Sequence, residues 1–303
     1  MENNEKQTAA VAAQRQNTVA RQGKPVDLLK NMIDAPSVQE QFRNALGENR
    51  NAFVASLIDL YTSDKSLQEC APADVVKEAL KAATMKLPIN RALGFAYIIV
   101  FKNNVKNADG SWSKVPTPTF VPGYKGYIQL AMRTGQYKTI NADMVYEGEL
   151  KDCNKLTGMI DLSGRRTSDK IVGYFCYFEL LNGCSKTLYM SVEQMAAYAL
   201  TYSPSFKGKN KPSMEELIKV AQNNMPSQTV GWSGNFNDMA LKTVIRRLLS
   251  KYGYLSVEMM NAVAADSEIG SASASPAPET EEQHIDVSDA EYESVSEEES
   301  PEY

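Results

Sequence analysis

The chain has 303 residues, with 32 Lys and Arg, 37 Asp and Glu, one His and four Cys. That length admits one large domain or two ordinary ones, with enough apolar content for a buried core. The formal charge of −5 hides an asymmetry: residues 264–303 carry 13 acidic and no basic side chains, leaving 32 basic against 24 acidic residues before them, a formal +8. A basic body with an acidic tail points to a polyanionic partner.

The same inventory excludes several chemistries. The only histidine, His284, sits in the tail, so the body has no means of building a Ser-His-Asp triad, a Cys-His pair or a multi-histidine metal site. Cys70, Cys153, Cys176 and Cys184 contain no CxxC and read as reduced thiols of a cytoplasmic protein. The opening residues, with Glu2, Glu5, Lys6 and a short Ala9–Ala13 run, do not read as a signal peptide. The longest uncharged apolar stretch, Ala92–Phe101, is about half a membrane span.

In chain order, residues 1–26 read as a flexible arm and 264–303 as a disordered acidic tail. Residues 27–263 read as one folded body. It begins helically: Asp34-Ala-Pro36-Ser37 ends one short helix and starts another, residues 49–61 space Phe53, Leu57, Leu60 and Tyr61 for a helix, and Pro72 opens a helix through Thr84. The pattern then becomes extended. Gly94–Phe101 predicts a strand, and residues 102–110 a hairpin-type connection ending in Asp109-Gly110. Residues 139–146 predict another strand. Ile171–Leu181, Asn182-Gly183 and Cys184–Met190 form the clearest hairpin. Helices resume at 191–200, 213–224 and 237–252. The expected class is therefore α+β, a small antiparallel sheet with hairpins packed by helices from both sides of the sequence.

Two helices carry the functional signal. In Gly123–Gly135, Lys125, Gln129 and Arg133 fall in one stripe, opposite Tyr127 and Ala131. In Asp238–Lys251, Leu241, Val244, Ile245, Leu248 and Leu249 cover one face, while the pairs Lys242/Arg246 and Arg247/Lys251 fall on the other half. Like charges at this spacing repel by roughly 0.2–0.5 kcal/mol per pair. No acidic residue lies between Asp238 and Glu258 to offset them. Such rows suit phosphate contacts, which give affinity without sequence preference. Tyr124, Tyr127, Tyr137 and Trp112 are aromatic candidates for stacking on bases, although Tyr127 reads better as core. Lys207, Lys209 and Lys211 mark a basic loop.

Other motifs carry less. Neither G-x-x-x-x-G-K-[ST] nor G-x-G-x-x-G is present, which argues against an ATP-driven motor. Asp143, Glu149 and Lys151 match the spacing of metal-dependent nucleases, a short pattern that chance also produces.

Three blocks, Ala82–Tyr97, Gly123–Gln136 and Asp238–Lys251, resemble the RecT family of phage single-strand annealing proteins, and the likeness covers roughly residues 30–263. The resemblance implies ATP-independent binding of single-stranded DNA and annealing of complementary strands in homologous recombination, with no cofactor and no bond broken. It also implies rings or helical filaments and a 5′→3′ exonuclease partner; a host single-strand binding protein is a further candidate partner, and the expected location is the cytoplasm of a bacterial host. Lys125, Gln129, Arg133, Lys242, Arg246 and Arg247 inherit a DNA-contact role from the matching blocks. Lys102, Lys138 and Lys251 join them on charge and position. The alternatives are a passive coating protein for single strands and a metal-dependent nuclease.

Overall fold

The computed structural model describes residues 24–106, 111–206, 211–223 and 231–271. Proline sets the boundaries of its first third. Pro25, Pro36 and Pro72 each open a helix, where a missing N–H is no loss and the fixed φ suits the first turn. The helices here are α1 (Pro25–Ile33), α2 (Pro36–Leu46), α3 (Arg50–Ser63), the single turn α4 (Lys65–Gln68) and α5 (Pro72–Thr84). Helix α5 turns Val75, Val76, Ala79, Ala82 and Ala83 inward, against a core that includes Leu29, Phe42, Leu57 and Tyr61.

Strand β1 (Ala96–Lys106) pairs antiparallel with β2 (Trp112–Pro122), Ala96 opposite Pro122 and Lys106 opposite Trp112. Residues 102–106, expected in a connection, thus extend the strand; the expected Asp109-Gly110 turn lies outside the described residues. Strand β2 has no counterpart among the sequence expectations, because Pro116, Pro118 and Pro122 argue against a strand. Parity explains their tolerance. All three alternate in step with Phe120, whose N–H points away from β1 and donates to Glu78 Oε2 at 2.8 Å. The prolines therefore stand where an N–H would have served no ladder bond. Glu78 itself is buried, and Lys81 pairs with its other oxygen at 2.9 Å.

Helix α6 (Tyr124–Arg133) follows directly and leads into β3 (Tyr137–Tyr146). The short antiparallel pair β4 (Asp152–Cys153) and β5 (Ile160–Asp161) precedes β6 (Ile171–Leu180) and β7 (Ser185–Ser191). The second sheet has the order β3-β6-β7, antiparallel throughout. Its β6–β7 turn is the expected one: Gly183 adopts φ +84°, and the Asn182 side chain accepts from the Cys184 N–H at 2.9 Å. Tyr174, Cys176 and Phe178 project from β6 into the core. Helices α7 (Val192–Tyr202) and α8 (Met214–Gln222) each start with a capping box, Ser191 with Gln194 and Ser213 with Glu216.

Helix α9 (Phe236–Tyr252) packs on this sheet through Phe236, Val244, Ile245 and Leu248. Helix α10 (Val257–Ser271) then closes the body. It corrects the expected boundary, because residues 264–271 continue a helix whose Met259 and Ala262 are buried. Composition shifts at residue 264, but the helix runs on to Ser271. Residues 1–23 of the expected arm and 272–303 of the expected tail, His284 included, lie outside the described residues. Among the described residues no helix is long and apolar enough to cross a membrane.

Candidate nucleic-acid interface

Helix α6 owes its place to two glycines. A β-carbon on Gly123 would collide with the carbonyl oxygen of Gly94, and one on Gly126 with that of Phe95. The Gly123 N–H donates to Phe95 O at 2.9 Å, so the helix start is held against the chain leading into β1. The stripe is as expected in outline. Lys125 and Arg133 are exposed, Gln129 is half-buried, and Tyr127, Leu130 and Ala131 face inward. Arg133, however, is already engaged: its guanidinium donates to the Met85 and Lys86 carbonyl oxygens, both at 2.8 Å. These oxygens lie at the C-terminal end of α5, where carbonyls lack helical partners. Arg133 is thus a helix cap that leaves its remaining donors to solvent.

Helix α9 departs further from expectation. Leu241, Val244, Ile245, Leu248 and Leu249 are buried as read, but so is Lys242. Its ammonium pairs with Asp266 of α10, and Arg246 Nη1 reaches the other oxygen of the same carboxylate at 3.1 Å. Arg246 Nη2 also donates to Tyr198 Oη at 3.3 Å. Burial lowers the Lys242 pKa, and Asp266 offsets part of that shift. Lys242 and Arg246 were expected to face solvent as DNA contacts; instead α10 covers them, and the missing counter-charge is Asp266, 24 residues beyond Lys242. The second pair lies about 140° away around the helix axis, five residues on at about 100° each. Arg247 and Lys251 are exposed there.

The two helices do meet. Lys125, at the start of α6, lies near enough to Asp238, at the start of α9, to lower its pKa against the stronger, raising effect of burial. At the far ends, the Tyr137 hydroxyl donates to Tyr254 O at 3.0 Å. The helices therefore run side by side in the same direction. Tyr127 is sealed between them and α10, donating to Ala262 O at 3.3 Å. Of the aromatic candidates, Tyr127 and Tyr137 are core, Tyr124 is half-buried, and Trp112 is 63% exposed. Lys102 is exposed on β1. Lys138 is exposed but paired with Glu179 at 2.8 Å, a hydrogen bond that raises its pKa. In the basic loop, Lys207 and Lys209 lie outside the described residues and Lys211 is exposed.

One feature of this surface was not anticipated. The Tyr198 and Tyr202 rings of α7 lie 4.6 Å apart, and the Arg247 guanidinium stands 5.2 Å from the Tyr198 ring centre. Next to it, Lys251 and Lys186 lie 5.0 and 5.6 Å from the Tyr252 ring centre. The four-residue spacing of Tyr198 and Tyr202 and the Lys251-Tyr252 pair were the available signals.

The residues of the nuclease-like pattern are committed locally. Glu149 accepts from the Tyr146 N–H and Asp143 from the Met144 N–H, each at 2.8 Å. Among the described residues, no group of three or more His, Cys, Asp or Glu is placed to hold a metal ion. All four cysteines are free; Cys70 and Cys176 are buried, and burial pushes the Cys176 thiol up to about 12.

Comparison with known proteins agrees with the site's sequence blocks. The RecT family model matches residues 51–284. The chain is similar to the uncharacterized protein YqaK of Bacillus subtilis, 38% identical over 241 residues that cover 79% of this chain and 72% of that protein. It is also similar to the protein RecT of Escherichia coli, 27% identical over 242 residues, 78% of this chain and 79% of that protein. With most of its body matched, glycine-anchored α6 and cationic α9 included, the chain belongs to the RecT family, whose members are DNA-binding single-strand annealing proteins of recombination.

Proposed function

We propose that the protein binds single-stranded DNA and anneals complementary strands without ATP or any other cofactor, as a ring or helical filament, in phage recombination in a bacterial cytoplasm. One observation carries the reading beyond family membership. Among the described residues, Lys102, Lys125, Lys186, Arg247 and Lys251 are exposed and make no ion pair. They are cations in want of an anion. Lys242 and Arg246 leave the list of contacts, Arg133 offers the donors that its cap of α5 leaves to solvent, Lys138 contributes only once Glu179 is shared or released, and Gln129 lies between Lys125 and Arg133.

Phosphates resting on these cations have their mutual repulsion lowered, so two strands approach while base pairing selects the partner. No bond is made or broken, and the chain acts as no enzyme in this scheme. A 5′→3′ exonuclease supplies the single strand, and a host single-strand binding protein is the competitor or partner on it. The test is annealing of two labelled complementary oligonucleotides with purified protein and no nucleotide. Pairing several times faster than in buffer, weakening as salt rises, is the expected result. A rate equal to the spontaneous one sinks the proposal and leaves a coating role if the strands are nevertheless bound.

A further inference from the structure

Tyr202, Tyr198, Arg247, Lys251, Tyr252 and Lys186 form a row of aromatic and cationic groups over three elements, α7, α9 and β7. Two of its rings are open: Tyr202 is 63% exposed and Tyr252 46% exposed, high values for large rings that a body of this size has room to bury. Tyr198 is different. Tyr202 stacks against it, Arg247 stands over its ring, and its hydroxyl accepts from Arg246, so it is a support rather than a free surface. A cation held near an exposed ring exchanges that weak contact for a phosphate at little cost. The ring it leaves is then available to the base attached to that phosphate.

We propose that Tyr202 and Tyr252 are base-stacking residues for single-stranded DNA, each taking the flat face of a base whose phosphate is held by Arg247, Lys251 or Lys186. The proposal rests on the annealing reading and adds the chemical part of the strand that is recognised. It also meets a requirement of annealing. Stacking occupies the face of a base and leaves its pairing edge free, so a strand held this way is fixed in place yet open to a complement. Every base offers a face, so the contact is indifferent to sequence.

The experiment compares affinity for oligothymidylate and for an abasic oligomer with the same number of phosphates, using the full chain. The wild type is expected to prefer oligothymidylate by about fivefold to a hundredfold for each base stacked. Tyr202→Ala together with Tyr252→Ala is expected to bring the two affinities together while the salt dependence of binding stays as it was. Tyr202→Phe with Tyr252→Phe is expected to keep the preference, which separates ring stacking from hydroxyl contacts and from damage to the fold. An undiminished preference in the double alanine variant overturns this proposal alone, provided annealing persists. Equal wild-type affinity for the two oligomers does the same. A wild type that binds neither oligomer overturns the annealing reading and this proposal with it.

Discussion

Helix α9 carries two cationic pairs of the same spacing, and the fold treats them in opposite ways. Lys242 and Arg246 lie under α10 and share the carboxylate of Asp266, whereas Arg247 and Lys251 face solvent beside tyrosine rings. Nothing in the local pattern separates them, because all four lie off the apolar stripe. What separates them is the direction from which the last helix arrives. Two cations on one carboxylate leave a positive excess inside the body, a costly arrangement held by hydrogen bonds to Asp266 and Tyr198. The covered pair serves cohesion, and the exposed pair is left for a ligand.

The contrast is broken most severely at Asp266. Asp266→Ala strands both cations without a counter-charge, and unfolding by urea should show a loss of roughly 3–5 kcal/mol. Adding Lys242→Met to that variant should recover much of the loss by removing one buried charge. An unchanged midpoint for Asp266→Ala would mean that the carboxylate is not what holds α10 down. The opposite manipulation, Arg247→Ala with Lys251→Ala, should leave stability within about 0.5 kcal/mol. Its effect belongs to binding. The slope of log affinity against log salt should become shallower by about 1.4, two contacts at about 0.7 each. A slope identical to wild type would put the DNA on another surface.

The smallest effect concerns the acid at the other end of the same helix. Burial raises the Asp238 pKa above its ordinary 3.8, so the folded chain holds that proton more tightly than the unfolded one. The stability this group contributes is therefore present below 3.8 and is lost as pH rises through the raised value. Asp238→Asn should remove that slope from urea midpoints measured as pH rises from below 3.8. An identical pH profile in the variant would refute the assignment.

Much of the fold was legible because local chemistry dictates it. Pro72 starting α5, Asn182-Gly183 turning β6 into β7, and the apolar spacing of α9 each act within a few residues. Strand β2 was not legible, since the outward parity of Pro116, Pro118 and Pro122 is defined only once β1 supplies a partner. The site divides along the same line. Exposure of Lys125 follows from helical spacing alone. The burial of Lys242, the capping of α5 by Arg133 and the approach of Tyr198 to Arg247 depend on elements that meet only in three dimensions. Family resemblance carried a DNA-contact role onto Lys242 and Arg246 as readily as onto Arg247, because a matching block does not record which side of a helix a later helix covers.

The position of Asp266 bears on how the acidic extension can be studied. Composition invites a cut at residue 264, and a shortened chain made there would lose the counter-ion of Lys242 and Arg246 together with the extension. Any gain in nucleic-acid affinity after such a deletion would then mix two causes, the removal of a competing polyanion and the unmasking of two interior cations. Trimming after Ser271 keeps the closing helix whole and isolates the first cause from the second.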